Sequence, residues 1–244
     1  MNNTIKQHVQ VPHLANDDLE ITPKDLLIYA CIRRYMNKDS KKAFPSLDKI
    51  AKDAGASKPT ISKSIKLLEK YNYLKCIKES GKKHNSYIIN TNKCANFEMF
   101  SFEFLDNPNL TFSQKSYILA SQQFMVKEND LGKISYTNKE LGEYIHLPET
   151  TINRYNRELS KTEYLQVIKE SYNKDINGNY KQIKYFNLPA LGQALVCTAI
   201  NHELRIATTE DKISKLENEN ISLKKDLEML KRALFKQNEK ELTL

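Results

Sequence analysis

Over residues 24–36 the apolar side chains Leu27, Ile28, Cys31, Ile32 and Tyr35 fall at helical spacing, which predicts a helix. Pro45 and Ser46 open a shorter one, with Ser46 as its cap and Leu47, Ile50 and Ala51 turned inward. Gly55 ends it, because a sharp turn favours a residue free to take positive φ. Ser57 caps a third helix, Pro59 occupies its first turn, and Ile61, Ile65 and Leu68 form its buried stripe. Residues 73–78 alternate as a half-buried strand does, residues 86–90 return, and residues 80–84 form the tip between them.

The pattern then repeats. Shifted by 91 positions, Thr60 and Ile61 meet Thr151 and Ile152, and Leu68 meets Leu159. Tyr73 and Leu74 likewise meet Tyr164 and Leu165, and Ile77 to Ser80 meet Ile168 to Ser171. With a slightly shorter shift, Ile21 and Thr22 meet Leu110 and Thr111. An internal repeat of this kind governs the fold. In the second copy Thr137 and Glu140 predict a capping box, Leu141 and Ile145 face inward, and residues 147–150 make the turn. Ile152, Tyr155 and Leu159 are the expected buried stripe. Asn156 stands where the first copy has Ile65, which predicts looser packing of this helix. The second hairpin tip, residues 172–181, is longer. Its Asp175-Ile176-Asn177-Gly178-Asn179 resembles the start of a calcium loop, but Tyr180 holds the glycine position and Phe186 the position of the bidentate glutamate. It reads as a turn.

Two helices joined by a turn and followed by a hairpin make a winged helix. The run from Phe44 to Ala51, then Gly55 to Lys63, then Leu68 to Leu74, resembles the helix-turn-helix modules of plasmid and phage proteins. Phe104 to Thr111 resembles the entry to such modules in phage replisome organisers and plasmid replication proteins, and Val11 with Pro12 and the run from Leu19 to Tyr29 is similar. The resemblance covers both copies and implies binding to double-stranded DNA.

The charge agrees with that expectation for the first copy. The chain of 244 residues carries a net +8, and the whole surplus falls within residues 1–92, mostly over residues 52–83. With the apolar stripe inward, Ser57, Lys58, Thr60, Ser62, Lys63 and Lys66 face outward as candidate DNA contacts. The second copy offers Glu149, Thr150, Asn153, Arg154 and Arg157; asparagine suits adenine and arginine suits guanine in the major groove. Lys82, Lys83 and His84 on the first wing, and Lys174 and Lys181 on the second, are placed to reach flanking backbone or a minor groove.

Residues 203–236 carry a heptad repeat. Ile206, Ile213, Asn220, Leu227 and Leu234 take the a positions, and Leu216, Leu223 and Leu230 the d positions. Leucine at d with one asparagine at a favours a parallel two-stranded coiled coil. The cross-strand pairs of that arrangement, Arg205 with Glu210, Lys212 with Glu217, Glu219 with Lys224 and Asp226 with Lys231, are all opposite in sign.

Other chemistry is scarce. Cys31, Cys76, Cys94 and Cys197 form no CxxC pair, and each reads as a small buried residue of a reduced cytosol. The five histidines show no ligand spacing, so no metal or cofactor is expected. No phosphate-binding loop, HExxH or nucleophile elbow occurs, so an enzyme is not expected. The polar N-terminus lacks a signal-peptide core and no apolar run reaches membrane length.

The expected fold class is mainly α with small β-hairpin wings (α+β). It comprises two tandem winged-helix domains, residues 1–92 and 93–200, a parallel coiled coil over 201–236 and a tail over 237–244. The expected function is that of a cytoplasmic, sequence-specific homodimer binding duplex DNA, a plasmid or phage replication initiator or organiser acting at repeated sites. A transcriptional repressor on an inverted repeat is the alternative, and a protein-docking adaptor a further one. The partners expected are duplex DNA, a second copy of the chain, and replication or transcription machinery.

Overall fold

A computed structural model describes residues 7–14, 18, 20–78, 85–128, 130–174, 180–193, 217 and 219–224. The chain divides into two units, residues 1–197 and 198–244.

In the first unit the order is β1 (His8–Pro12), α1 (Pro23–Arg33), β2 (Lys42–Ala43), α2 (Leu47–Ala54), α3 (Lys58–Lys70), β3 (Leu74–Ile77) and β4 (Ser86–Ile89). There follow β5 (Phe97–Ser101), α4 (Phe102–Asp106), α5 (Phe112–Ser121), β6 (Val126–Glu128), β7 (Leu131–Ile134), α6 (Asn138–Tyr144), α7 (Glu149–Leu159), β8 (Leu165–Lys174) and β9 (Tyr180–Asn187). Three antiparallel sheets form, in the orders β1-β5, β2-β4-β3 and β6-β7-β9-β8. Each half thus places a central helix, one strand (two in the second half), two helices and a hairpin in the same order, with β2 and β7 each beside the return arm of its hairpin. The strands β1, β2, β5, β6 and β7 are additions to the helix-and-hairpin pattern expected from periodicity.

The halves meet around a local two-fold. Thr22 and Thr111, 89 positions apart, both open a central helix with a capping box, through Asp25 and Gln114. The same spacing carries β1 onto β5. The two strands pair antiparallel with Gln10 opposite Met99, its own counterpart, and His8 opposite Ser101 mirrors Pro12 opposite Phe97. That self-complementary register is the mark of an isologous contact, here within one chain. Helices α1 and α5 pack on each other beneath it. Backbone conformation follows the repeat where residue type does not: Lys41 and Asp130, also 89 apart, both take positive φ, at 55° and 63°.

This arrangement explains why α1 is not amphipathic. Covered by α5, α3, α2 and β1, it buries its apolar run from Leu26 to Ile32 on every side. A helix apolar all round belongs in the middle of a structure. Arg33 at its end is buried as well, as is Lys115 on α5, whose Nζ donates to the Leu105 carbonyl at 2.5 Å. Burial pushes the Cys31 thiol up to about 12 and raises the half-buried Cys76. Cys94 is buried but not apolar in its surroundings, accepting from Arg33 Nη1 at 2.5 Å.

In the second unit, residues 219–224 are helical and exposed, including Ile221 at 54 % and Leu223 at 65 %. Asn220 and Leu223 of the heptad lie among them. Ile206, Ile213, Leu216, Leu227, Leu230 and Leu234 lie outside the described residues, as do Cys197 and the turn at residues 175–179.

Candidate nucleic-acid interface

Helix α2 starts where Ser46 accepts from the Lys49 amide at 3.1 Å, and it stops at Gly55, whose φ of +70° is open to glycine at little cost. Ser57 caps α3 by accepting from the Thr60 amide at 3.4 Å, and its Oγ lies 2.8 Å from Thr60 Oγ1. Ile61, Ile65 and Leu68 are buried. Ser64 joins them, donating to Asp25 Oδ1 at 2.5 Å. The other oxygen of Asp25 accepts from the Thr22 amide and hydroxyl at 2.8 and 2.6 Å. One carboxylate therefore caps α1 and sets the rotation of α3, a link that periodicity alone gave no reason to assign. At the far end of α2, Tyr35 donates to Asp53 at 2.5 Å, and Lys49 reaches the same carboxylate at 2.8 Å.

With that rotation Lys58, Lys63 and Lys66 are exposed on α3, and Thr60 and Ser62 are half-buried beside them. Lys58 is tied to Asp48 of α2, with Nζ 2.5 Å from Oδ1. Lys63 and Lys66 form no ion pair among the described residues. On α3 these two are the cations available to an incoming polyanion.

The second copy builds the same turn differently. Thr137 and Glu140 cap α6 reciprocally, at 3.1 and 2.7 Å. The position of Gly55, 91 residues on, is His146, which also takes positive φ, at 55°. Its Nδ1 lies 3.0 Å from the Ile21 carbonyl, a contact that helps hold a conformation L-residues avoid. Gly142 is required by close approach, since a Cβ there would stand 2.4 Å from the Leu147 carbonyl. Pro148 precedes α7 and offers no side-chain cap, so its first-turn amides are left without one.

Glu149, Thr150, Asn153, Arg154 and Arg157 are all exposed on α7. Asn156 does not loosen the helix. It is buried, accepts from the Tyr117 hydroxyl at 2.6 Å, and donates to Asn138 Oδ1 at 3.1 Å. Asn138 in turn donates to Asn153 Oδ1 at 2.6 Å. A relay of side-chain amides thus runs from the core to the outer face and fixes Asn153 there. Arg154 lies over the Tyr155 ring at 5.1 Å, and Arg157 has no ion pair among the described residues.

Lys82, Lys83 and His84 lie outside the described residues. Lys174 and Lys181 fall in β8 and β9, with side chains outside the described set. Among the described residues no cluster of histidine, cysteine, aspartate or glutamate is placed to hold a metal ion, and no helix is long and apolar enough to cross a membrane.

Residues 19–74, which span α1 to the start of β3, match the model of a family described as a helix-turn-helix domain. That match supports a DNA-binding helix-turn-helix domain over this part of the chain, where α2 and α3 are the two helices that flank the turn at Gly55. A comparison with curated proteins finds no match for the chain.

Proposed function

We propose that the protein is a sequence-specific duplex-DNA-binding homodimer, without enzymatic activity, that acts in the cytoplasm as a plasmid or phage replication initiator or organiser. The observation that carries DNA binding is the helix-turn-helix match over residues 19–74 together with Lys63 and Lys66 on the exposed face of α3, which form no ion pair among the described residues. In this reading both halves are winged helices. Helix α3 supplies mainly phosphate contacts, and α7 supplies base-reading groups through Asn153, Arg154 and Arg157. The heptads of the second unit pair two copies in parallel, so that a dimer carries four modules and gains affinity from effective concentration.

The local two-fold favours a second reading. A protein two-fold is matched by two-fold symmetry in its site. One chain would then address two inverted half-sites, unequal because α3 and α7 present different side chains. A repressor on a promoter uses such a site directly, whereas an initiator would repeat it in tandem near an origin.

Selection from a randomised duplex library by the full chain, at about 150 mM salt to suppress non-specific retention, tests the proposal. Enrichment of a motif with two unequal half-sites supports it. A library left unenriched overturns it and leaves the docking-adaptor reading.

A further inference from the structure

The end of α1, the loop to β2 and the edge of β1 enclose an open cavity of about 790 Å³. That volume is typical of small-molecule sites. Arg33, Arg34, Lys38 and Lys41 line it, with Gln10 and Phe102, and among the described residues no carboxylate does. Arg33 is only 7 % exposed, yet none of its partners among the described residues is a carboxylate: it donates to Gln10 Oε1 at 2.5 Å, the Tyr29 hydroxyl at 2.8 Å and Cys94 Sγ. A buried cation without a carboxylate partner is costly, and an anion bound beside it lowers that cost. Arg34 is paired with Asp106 at 2.6 and 2.9 Å, but its buried Nε has no partner. Its guanidinium stacks on Phe102, 4.5 Å from the ring centroid. Lys38 and Lys41 are exposed and form no ion pair among the described residues.

The molecule contains its own control. The positions 89 residues on from Arg33, Arg34, Lys38 and Lys41 are Gln122, Gln123, Lys127 and Asp130. There the remaining cation is neutralised, because Lys127 pairs with Glu98 on β5 and His13 lies 3.4 Å from the same carboxylate. Burial pushes the Glu98 carboxyl up, but His13 and Lys127 outweigh it and hold it below the ordinary range. The counterpart of Glu98 on β1 is Val9. The first copy has gained three cationic residues at this place and lacks the acid.

We propose that this cavity binds a small organic polyanion of nucleotide size, with its phosphate groups between Lys38, Lys41 and the two arginines and its flat apolar part toward Phe102. A duplex backbone is a poor fit. It is convex, and Arg33, 7 % exposed, lines a concavity. The site is separate from the α3 face and does not depend on the function proposed above.

Calorimetric titration of the full chain with ADP, and with adenosine as the uncharged control, tests this. ADP is expected to bind in the micromolar range and adenosine at least about tenfold more weakly. The double variant Lys38→Gln, Lys41→Gln removes two exposed charges and no hydrogen bond, and its thermal midpoint without ligand checks that the fold is kept. It is expected to bind ADP about tenfold more weakly and duplex DNA as the parent does. Lys63→Gln with Lys66→Gln should leave ADP binding unchanged. No heat with ADP up to about 1 mM, equal affinity for adenosine, or an unaltered double variant would each overturn the proposal. So would a double variant that loses duplex DNA in a chain that does not take ADP.

Discussion

Replacing Asn156 by leucine tests whether the second copy is held by a polar pair where the first is apolar. The counterparts of Tyr117 and Asn156 in the first copy are Ile28 and Ile65, at spacings of 89 and 91, and both are buried. In the second copy the Tyr117 hydroxyl is fully enclosed and donates to Asn156 at 2.6 Å. Burial, as the largest influence, raises the Tyr117 pKa well above its ordinary value, so it stays a neutral donor. The single change removes that acceptor and leaves only the buried Ser121 hydroxyl beside Tyr117 to take its place, at a cost of up to about 1–3 kcal/mol. Asn138 also loses a partner, but it is half-buried and water replaces it. For a unit of this size each kcal/mol lowers the melting midpoint by about 2–4 °C. Tyr117→Phe alone strands the Asn156 carbonyl oxygen and should cost a similar amount. The double variant removes both polar ends and should recover to within about 1 kcal/mol of the parent. Urea unfolding of the four proteins measures this. Additive losses in the double variant would refute the reasoning, because they would show that the two groups do not depend on each other.

Changing Lys63 and Lys66 to alanine should lower the slope of log affinity for duplex DNA against log salt by about 1.8, at about 0.9 for each phosphate contact; fluorescence anisotropy at several salt concentrations reads it, and an unchanged slope removes α3 from the interface. Hydrogen bonding from Arg34 is the leading cause that holds Asp106 below its ordinary 3.8, and Glu98 is held below 4.5 by His13 and Lys127 against desolvation. Folded values below the unfolded ones mean that this stability is complete above the unfolded values and is lost as pH falls through the folded ones. Glu98→Gln should therefore make the acid limb of a thermal-midpoint profile shallower. Leu223→Pro with Leu227→Pro should give monomers in sedimentation, and a surviving dimer would exclude the heptads as the pairing element.

The parts legible in the sequence are those whose signals are local. Ser46, Gly55 and Ser57 mark helix ends through bonds spanning three or four residues, and each occupies the position its chemistry predicts. The Thr137–Glu140 box is of the same kind. Stripes such as Ile61, Ile65 and Leu68 follow from helix geometry alone. What escaped is long-range. The pairing of β1 with β5 joins segments some 89 positions apart, and five residues of mixed polarity such as His8–Pro12 do not announce a strand. The burial of Arg33 depends on which elements cover α1, and the clamp from Asp25 to Ser64 on how α1 crosses α3. The repeat itself contained the two-fold, but only the register opposite Gln10 and Met99 discloses it.

The most direct test of the central claim is a hydroxyl-radical footprint at about 150 mM salt, on DNA flanking the protein's own gene. The full chain would be compared with Lys63→Ala, Lys66→Ala and with Arg154→Ala, Arg157→Ala. Two protected half-sites in inverted orientation for each chain of the bound dimer, with each variant losing protection over a different half-site, are the predicted result. Protection of a single half-site that only the first variant weakens would contradict the claim that both halves of the chain read DNA.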